Sequence, residues 1–409
     1  MSYAFNKTMQ FDSIQHPFKA LFLYIFCALS IIFAPLNKAT AELRCQDTFS
    51  NPKIRWHSSG GNVAMDFREN LFHFTDWWKK SIVKENLSKD LLSVGIISAD
   101  PNLTNYNDVP INGKRKLRFN DFDDSGRGPF IFDFVRFVVS AKALRLGIKT
   151  ADLFEMYQAG LRNEKQEMPD FLKKILGDLS TKDEKKINEK YVDKHTSGDS
   201  FKFDKEITKL AKISSAPPEV QKIFKEDLST MQDALKEALP EYKILDKAYR
   251  IKTSGGSKEQ PRFWFLLKSE KENEKLIIEF KLMVEPAVEL LQPQSDFQTR
   301  LRAINEVFWK NAEDPTYGIA ISKNHNYSMR RRFKKLISFS ETPSDKEKQN
   351  IREFLSYIAY HDVGRPVSRQ ASSANYIKAV QNNPDQFLAI VESVASEYIE
   401  LVKKLRQQP

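Results

Sequence analysis

The spacing of hydrophobic residues changes several times along the chain, and each change predicts a different element. Between Asp66 and Leu92 apolar and aromatic residues recur at helical spacing, which predicts one long helix or two short ones. The β-branched, apolar run "SVGII" at 93–97 then predicts a buried strand. The later patterns predict, in order, a helix at 296–309, strands near 316–321 and 326–333, and helices from 345 to the end.

A hairpin and a buried helix are predicted in the first third of the chain. Asn112-Gly113 is the dipeptide typical of a tight hairpin turn, and the alternating run "KRKLRF" follows it. The glycines and proline of 126–129 interrupt the pattern, and "FIFDFVRFVVSAKALRLGI" then predicts an apolar helix with charge on one side. Further on, three β-like runs predict a small sheet: "AYRIKT", "RFWFLL" and "KLIIEFKLMV".

Residues 162–246 differ in character from the rest of the chain. They are rich in Lys, Glu and Asp at helical spacing, and "HTSGDS" and "SSAPPE" interrupt them. We interpret this segment as a solvated helical insertion, which a short linker could replace without loss of the core. The remaining chain then divides into three parts: 60–161, 247–340 and 341–409.

Composition limits the class of protein. With 409 residues and 41% hydrophobic content the chain can build a substantial core. Its net charge of +10 arises from 64 basic and 54 acidic residues, so the excess is a small bias over a highly charged surface. No nucleic-acid-binding motif accompanies the charge, and we therefore expect no nucleic-acid partner.

The N-terminus predicts export from the cytoplasm. Lys7 and Lys19 precede the apolar run at 20–34, which is too short for a comfortable membrane span of roughly 20 residues. The A-x-A pattern that ends at Ala41 predicts cleavage of a signal peptide at 1–41, giving a periplasmic or secreted protein with no stable membrane span. The alternative is an uncleaved anchor. Only Cys45 would survive processing, so no internal disulfide is expected.

Polar residues cluster where the first predicted strand ends. Asp100 and Asn105 stand in the spacing D-x-x-x-x-N, and the hairpin leads to "NDFDD", which contains Asp121. Phosphoryl transfer needs a carboxylate near the acceptor hydroxyl and oxygen ligands that hold Mg²⁺ against nucleotide phosphates. Because a hairpin returns the chain to its starting point, these three residues can converge on one site.

The motifs around these residues resemble a known family. "ADPNLTNYN", "RFNDFDDSGRGPFIFDFVRFVVS" and "SGGSK…IEFKLMVEP" resemble the motifs of an uncharacterised bacterial family, which read G-D-x-H-x-x-N-F-G, N-D-F-D-E with P-x-x-W-D-x-x-R, and a Gly-Ser loop before K-E-A. That family is similar to protein kinases and aminoglycoside phosphotransferases in circularly permuted order. The resemblance implies an α+β, two-lobed fold with a small antiparallel sheet lobe and a mainly helical lobe.

The resemblance also implies a role for each matching residue. Asp100 would be the catalytic aspartate, and ATP or another nucleotide with Mg²⁺ or Mn²⁺ would be the cofactor. The metal ligands would be Asn105, Asp121 and Asp123; the phosphates would meet Gly255, Gly256, Ser257 and Lys281; and Asp133 with Arg136 would support the catalytic loop. From the residues alone, "TSGGS" is equally what any flexible hairpin needs, and Lys281 could be a strand-end charge.

Several positions depart from the family's motifs. Ala99 replaces the glycine, Asn102 the histidine and Leu282 the glutamate of K-E-A, while Asp76-Trp77 stands where the family has Arg-Gly. We therefore keep alternatives to a phosphotransferase that acts on an unknown acceptor. One is a catalytically silent, kinase-like domain that binds a ligand or partner, and another is a metal-dependent hydrolase that uses the same carboxylates.

Overall fold

A computed structural model describes most of the chain from Trp56 onward: residues 56, 58–59, 61, 63–82, 87–177, 181–204, 206–252, 260–272, 274–310 and 314–407. The signal-peptide prediction falls outside these residues. All of them belong to one unit of the chain, Pro52–Pro409.

The described residues form an α+β structure, as expected. Its α-helices are α1 (Val63–Glu69), α2 (Leu71–Ile82), α3 (Phe130–Ala143), α4 (Thr150–Leu161), α5 (Asp170–Gly177), α6 (Thr181–His195), α7 (Pro218–Ala238), α8 (Phe297–Ile304), α9 (Asp345–Ile358), α10 (Arg365–Ser368), α11 (Ala374–Asn382) and α12 (Pro384–Arg406). Five-residue and six-residue π-helical turns extend α8 and α9, at Asn305–Trp309 and Ala359–Gly364. The single pattern at 66–92 becomes two helices, α1 and α2.

The strands form one larger sheet and three small pairs. They are β1 (Val94–Ile97), β2 (Tyr106–Ile111), β3 (Lys114–Phe119), β4 (Gly126–Pro129), β5 (Thr196–Ser197), β6 (Ser200–Phe201), β7 (Leu210–Ala211), β8 (Tyr242–Arg250), β9 (Arg262–Ser269), β10 (Lys275–Met283), β11 (Tyr317–Ile321) and β12 (Asn326–Arg331). The larger sheet is antiparallel, with six strands in the order β11-β12-β10-β9-β8-β7. The pairs are β1-β4, β2-β3 and β5-β6.

The β2-β3 hairpin forms around Asn112 and Gly113, as its sequence predicts. Both residues have positive φ, 49° and 73°, the combination required by the tightest hairpin turns. Tyr106 lies opposite Phe119 in this pair, so the hairpin returns the chain to the place where it began. This register places the residues that precede β2 next to those that follow β3, and both groups belong to the candidate site.

The central helix α3 is buried on nearly all sides. Every residue from Phe130 to Ala141 is buried, including Asp133 and Arg136. Helices α1, α4 and α12 pack around it, with Phe134 stacked on Tyr157 at a ring distance of 4.1 Å. Because a helix buried all round cannot place charges in solvent, its two ionic side chains must find partners inside the protein.

The sheet has one apolar face and one divided face. On β10 the side chains of Phe280 and Leu282 point to one side, while Ile277, Glu279 and Lys281 point to the other, because side chains alternate along a strand. Ile277 lies in a hydrophobic cluster with Trp264 of β9 and with Phe201 and Leu210 from the segment 162–246. Glu279 and Lys281 continue the same face toward the Asp121 loop.

The segment 162–246 is not a solvated addition to this sheet. It provides the edge strand β7, and its helix α7 covers the apolar face, where Phe224 lies 4.9 Å from Phe263 between ring centroids. A buried ion pair joins Arg115 of β3 to Glu184 of α6 at 2.6 Å. Since these contacts bury both faces of the sheet, we no longer expect a short linker to replace the segment.

Candidate functional site

The loop after β1 is held by a buried carboxylate. Asp133, in the first turn of α3, accepts hydrogen bonds from the backbone N–H groups of Ser98 at 2.7 Å and Ala99 at 2.8 Å. Burial raises the pKa of Asp133 to about 6, against the opposing effect of these two donors. Ala99 has a φ of 61°, a left-handed conformation that costs an L-residue roughly 1–2 kcal/mol. The loop therefore adopts a strained turn immediately before Asp100.

Asp100 is fixed from both sides. Its Oδ1 accepts hydrogen bonds from Arg136, with Nη2 at 2.7 Å and Nε at 3.2 Å, and its Oδ2 accepts from the amides of Asn102 at 2.8 Å and Asn105 at 3.0 Å. Arg136 follows Asp133 by three residues, so both face the loop from one side of α3. The Arg136 guanidinium lies 3.5 Å from the ring centroid of Phe67, which limits its movement.

Asn105 connects the two ends of the hairpin. Its amide nitrogen donates to two oxygens of Asp100, the backbone O and Oδ2, each at 3.0 Å. Because the nitrogen must face these acceptors, the carbonyl oxygen of the side chain points the other way. The backbone O of Asn105 accepts from the N–H of Asn120 at 3.0 Å. Asn105 and Asp121 are thereby brought to the same place.

Lys281 binds the acidic end of this hairpin. Its side chain is fully buried, its Nζ lies 3.3 Å from Asp121 Oδ1, and it also pairs with Asp123. Burial lowers the pKa of Lys281 to about 8, against the opposing effect of Asp121. Desolvation would raise the pKa of Asp121, but Lys281 and Arg330 stabilise its charged form and bring the pKa below its ordinary value. The sheet and the hairpin therefore meet in an ionic contact.

A second buried acid organises the arginines beside Lys281. Glu279 accepts hydrogen bonds from Arg330, with Nε at 2.9 Å, from Arg262 at 3.1 Å and from the indole N–H of Trp264 at 2.8 Å. Its pKa lies well below the ordinary value despite burial, because Arg332, Arg330 and Arg262 surround it. One carboxylate thus faces several guanidinium groups, and this face of the sheet keeps an excess of positive charge.

The structure brings the predicted residues Asp100, Asn105, Asp121 and Lys281 together, and it places beside them a cluster that sequence reasoning mostly missed. Arg262 and Arg330 lie directly opposite Lys281 and Glu279 on the neighbouring strands, a relation that depends on sheet register. Sequence reasoning also missed Asp124, whose Oδ1 accepts from the backbone N–H of Ala287 at 2.8 Å. Its place in "NDFDD" was the available signal. The predicted glycine loop at 255–257 lies outside the described residues.

The oxygen atoms present suit a hard divalent cation only in part. Among the described residues no group of three or more Asp, Glu, His or Cys side chains could hold a metal ion. Mg²⁺ is commonly bound by one or two carboxylates together with water and substrate phosphates. Asp121 fits that role, since its side chain is 30% exposed and only its Oδ1 faces Lys281, and Asn105 contributes an amide oxygen. Asp123 pairs with the lysine.

Fold and site together define an α+β protein with a buried lysine on an antiparallel sheet, set against an acidic hairpin and a carboxylate loop. The chain belongs to the family described as "Uncharacterized protein conserved in bacteria (DUF2252)", whose model matches residues 145–407. That range contains Glu279 and Lys281 and begins after Asp100 and Asp121.

No curated protein and no solved structure matches the chain. Among the helices of the described part of the chain, none combines the length and the apolar character needed to cross a bilayer.

Proposed function

We propose that this chain is a nucleotide-dependent and Mg²⁺-dependent or Mn²⁺-dependent phosphotransferase, built as a circularly permuted, two-lobed kinase-like fold. The observation that carries the proposal is the contact of buried Lys281 with Asp121 and Asp123, at the end of a hairpin that starts beside Asp100. A lysine on the sheet, an acid at the hairpin end and an aspartate with an asparagine five residues later are the groups that kinase chemistry uses.

Each residue would have a role in phosphoryl transfer that follows from its position. Lys281 and the excess cations beside it would neutralise nucleotide phosphates, and Asp121 with the Asn105 carbonyl oxygen would hold the cation. Asp100 would orient the acceptor hydroxyl and take its proton as the acceptor oxygen bonds to the γ-phosphorus. The bond from that phosphorus to the β,γ-bridging oxygen then breaks, and the nucleoside diphosphate leaves with the electron pair.

Binding tests this proposal first. The Mg²⁺ complex of the non-hydrolysable analogue AMP-PNP, at 100 times its dissociation constant, should stabilise the protein by about 2.7 kcal/mol. For a unit of about 360 residues this corresponds to a rise in Tm of roughly 3–4 °C. Asp121→Asn should abolish this shift. Asp152→Asn, which makes the same change at an exposed position of α4, should keep it.

Turnover tests the role of Asp100. Asp100→Asn should bind nucleotide as the wild-type does and lose transfer to water or hydroxyl compounds by about two to four powers of ten. If calorimetry detects neither nucleotide nor divalent metal binding to the wild-type at millimolar ligand, the phosphotransferase proposal is wrong.

A catalytically silent ligand-binding domain is the second candidate, favoured by one observation. The Asp100 carboxylate already accepts four hydrogen bonds, as many as its lone pairs allow, so a substrate hydroxyl must displace a donor. This candidate would be supported if the wild-type binds nucleotide and transfers phosphate to no acceptor, and if Asp100→Asn leaves nucleotide binding unchanged.

A further inference from the structure

A large cavity adjoins the Asp100 loop on the side of the helices. Its volume is about 1100 Å³, at the upper end of the range for ligand pockets. It is lined by Asn102, Leu103 and Thr104, which follow Asp100 after one intervening residue, and none of its lining residues belongs to the six-stranded sheet. It is therefore separate from the strand that carries Lys281.

The wall of this cavity combines apolar surface with an excess of positive charge. Leu103, Leu146, Ile337 and Phe339 provide apolar side chains, together with Ile351. Of the charged residues in the wall, five are basic and one is acidic: Arg68, Arg145, Lys335, Lys403, Arg406 and Glu341.

Three of these cations have no carboxylate partner among the described residues. Lys403 pairs with Glu400 at 2.5 Å, and Arg406 pairs with Asp66 at 2.8 Å. Arg68, Arg145 and Lys335 make no such pair with any residue described in the structure. Free cations beside buried apolar surface are matched by a ligand that carries both an anionic group and an apolar body.

One of the free cations lies toward the proposed phosphate site. Lys335 lines this cavity together with Arg68, and it also lines a second, smaller cavity beside Asp123 and Arg330 of the proposed phosphate site. The pKa of Lys335 is lowered to about 8, by desolvation and by Arg332 and Arg330. An anion at this end of the cavity would relieve that repulsion.

We propose that this cavity is the acceptor site of the phosphotransferase and that the acceptor is an amphiphilic anion, with its anionic group on Arg68 and Lys335 and its apolar body against Leu103, Leu146 and Phe339. The assignment rests on the proposed function, because it takes Asp100 as the residue that meets the acceptor. It adds the chemical class of the substrate.

A matched pair of probes tests the proposed chemical class of the acceptor. 12-Hydroxydodecanoate carries an apolar chain, a hydroxyl and a carboxylate, and 1,12-dodecanediol is the same chain without the charge. Calorimetry should show the hydroxy acid binding the full chain at least about tenfold more tightly than the diol, as expected for one charged hydrogen bond. Equal binding of the two, or binding of neither, overturns the proposal.

A double variant tests whether Arg68 and Lys335 cause the preference for the hydroxy acid over the diol. Arg68→Gln with Lys335→Gln should remove the preference for the acid and keep the weaker binding of the diol. Arg302→Gln, at an exposed arginine outside the cavity, is the control and should keep the preference. Thermal unfolding of each variant shows whether it is folded. A folded double variant that still prefers the acid overturns the assignment to this cavity.

Nucleotide binding separates the two proposals. The double variant should still bind Mg²⁺ with AMP-PNP, because the variant leaves Lys281 and Asp121 in place. If the wild-type binds AMP-PNP and shows no preference for the hydroxy acid, the acceptor class is wrong and the phosphotransferase proposal stands. If the wild-type does not bind AMP-PNP, the phosphotransferase proposal fails and the acceptor assignment fails with it.

Discussion

Glu279→Gln tests whether the sheet's arginines depend on a single counter-charge. The carboxylate is fully buried and accepts from Arg262, Arg330 and Trp264. Glutamine keeps the shape but removes the charge, which leaves the guanidinium groups of Arg262, Arg330 and Arg332 facing a neutral amide inside the protein. Removing one partner of a buried ion pair costs about 3–5 kcal/mol, because the remaining charge stays desolvated.

The magnitude converts to a measurable shift in Tm. An unfolding entropy of roughly 2.1 cal/mol/K per residue gives about 0.75 kcal/mol/K for a unit of about 360 residues. The expected loss is therefore about 4–7 °C by scanning calorimetry. The control is Glu272→Gln, because Glu272 is 68% exposed and lies 3.7 Å from Lys185. Such a surface pair contributes at most about 1 kcal/mol.

Two further measurements, with added sulfate and at different pH, test the same explanation of the loss in Tm. Sulfate should stabilise Glu279→Gln more than the wild-type, because the uncompensated arginines then attract an anion. The lowered pKa of Glu279 means that its contribution is present above the unfolded-state pKa near 4.5 and is lost as pH falls through the lower folded-state value. The Tm difference between wild-type and variant should therefore stay constant from pH 5 to 8. A loss in Tm no larger than that of Glu272→Gln would refute the reasoning.

Four further predictions follow from the packing and from the sequence. Gly160→Ala should lower Tm and Gly177→Ala should not, because a Cβ at Gly160 would meet backbone atoms at 2.5 and 2.9 Å, whereas at Gly177 it would meet nothing within 4 Å. Arg115→Gln should cost about 3–5 kcal/mol in a denaturant titration, since it leaves two buried carboxylates unpaired. Replacing 162–246 by a short linker should abolish the cooperative unfolding transition seen by circular dichroism. A retained transition would support the interpretation of 162–246 as an insertion that a linker can replace. Mass spectrometry of an extracytoplasmic fraction should find a protein that begins at Glu42, and an intact N-terminus there would contradict cleavage.

Local features of this fold could be predicted because short-range physics determines them. The hairpin follows from Asn112-Gly113, where positive φ is needed, and α3 follows from an uninterrupted apolar run. Asp133 lies within that run, and because a buried carboxylate needs donors, it accepts hydrogen bonds from the loop before Asp100. The loop between these elements was found through its polar spacing.

Long-range features could not be predicted in the same way. The charges of 162–246 suggested solvent exposure, yet Phe201, Leu210 and Phe224 from this segment bury both faces of the sheet. Those apolar residues are few and widely spaced, so periodicity gives them little weight. The arginine cluster depends on which residues lie opposite each other across β9, β10 and β12, and a single strand's sequence carries no such register.

The departure at Leu282 shows why the register matters for the site. The family's motif has a glutamate at this position, next to the lysine, and this chain has Leu282. Leu282 points to the opposite face of β10 and packs there at 3% exposure opposite Tyr327. Lys281 is held instead by Asp121 and Asp123 across the site. Because these partners come from the hairpin that begins beside Asp100, the lysine and the carboxylate loop are coupled directly, without an acid on the neighbouring residue.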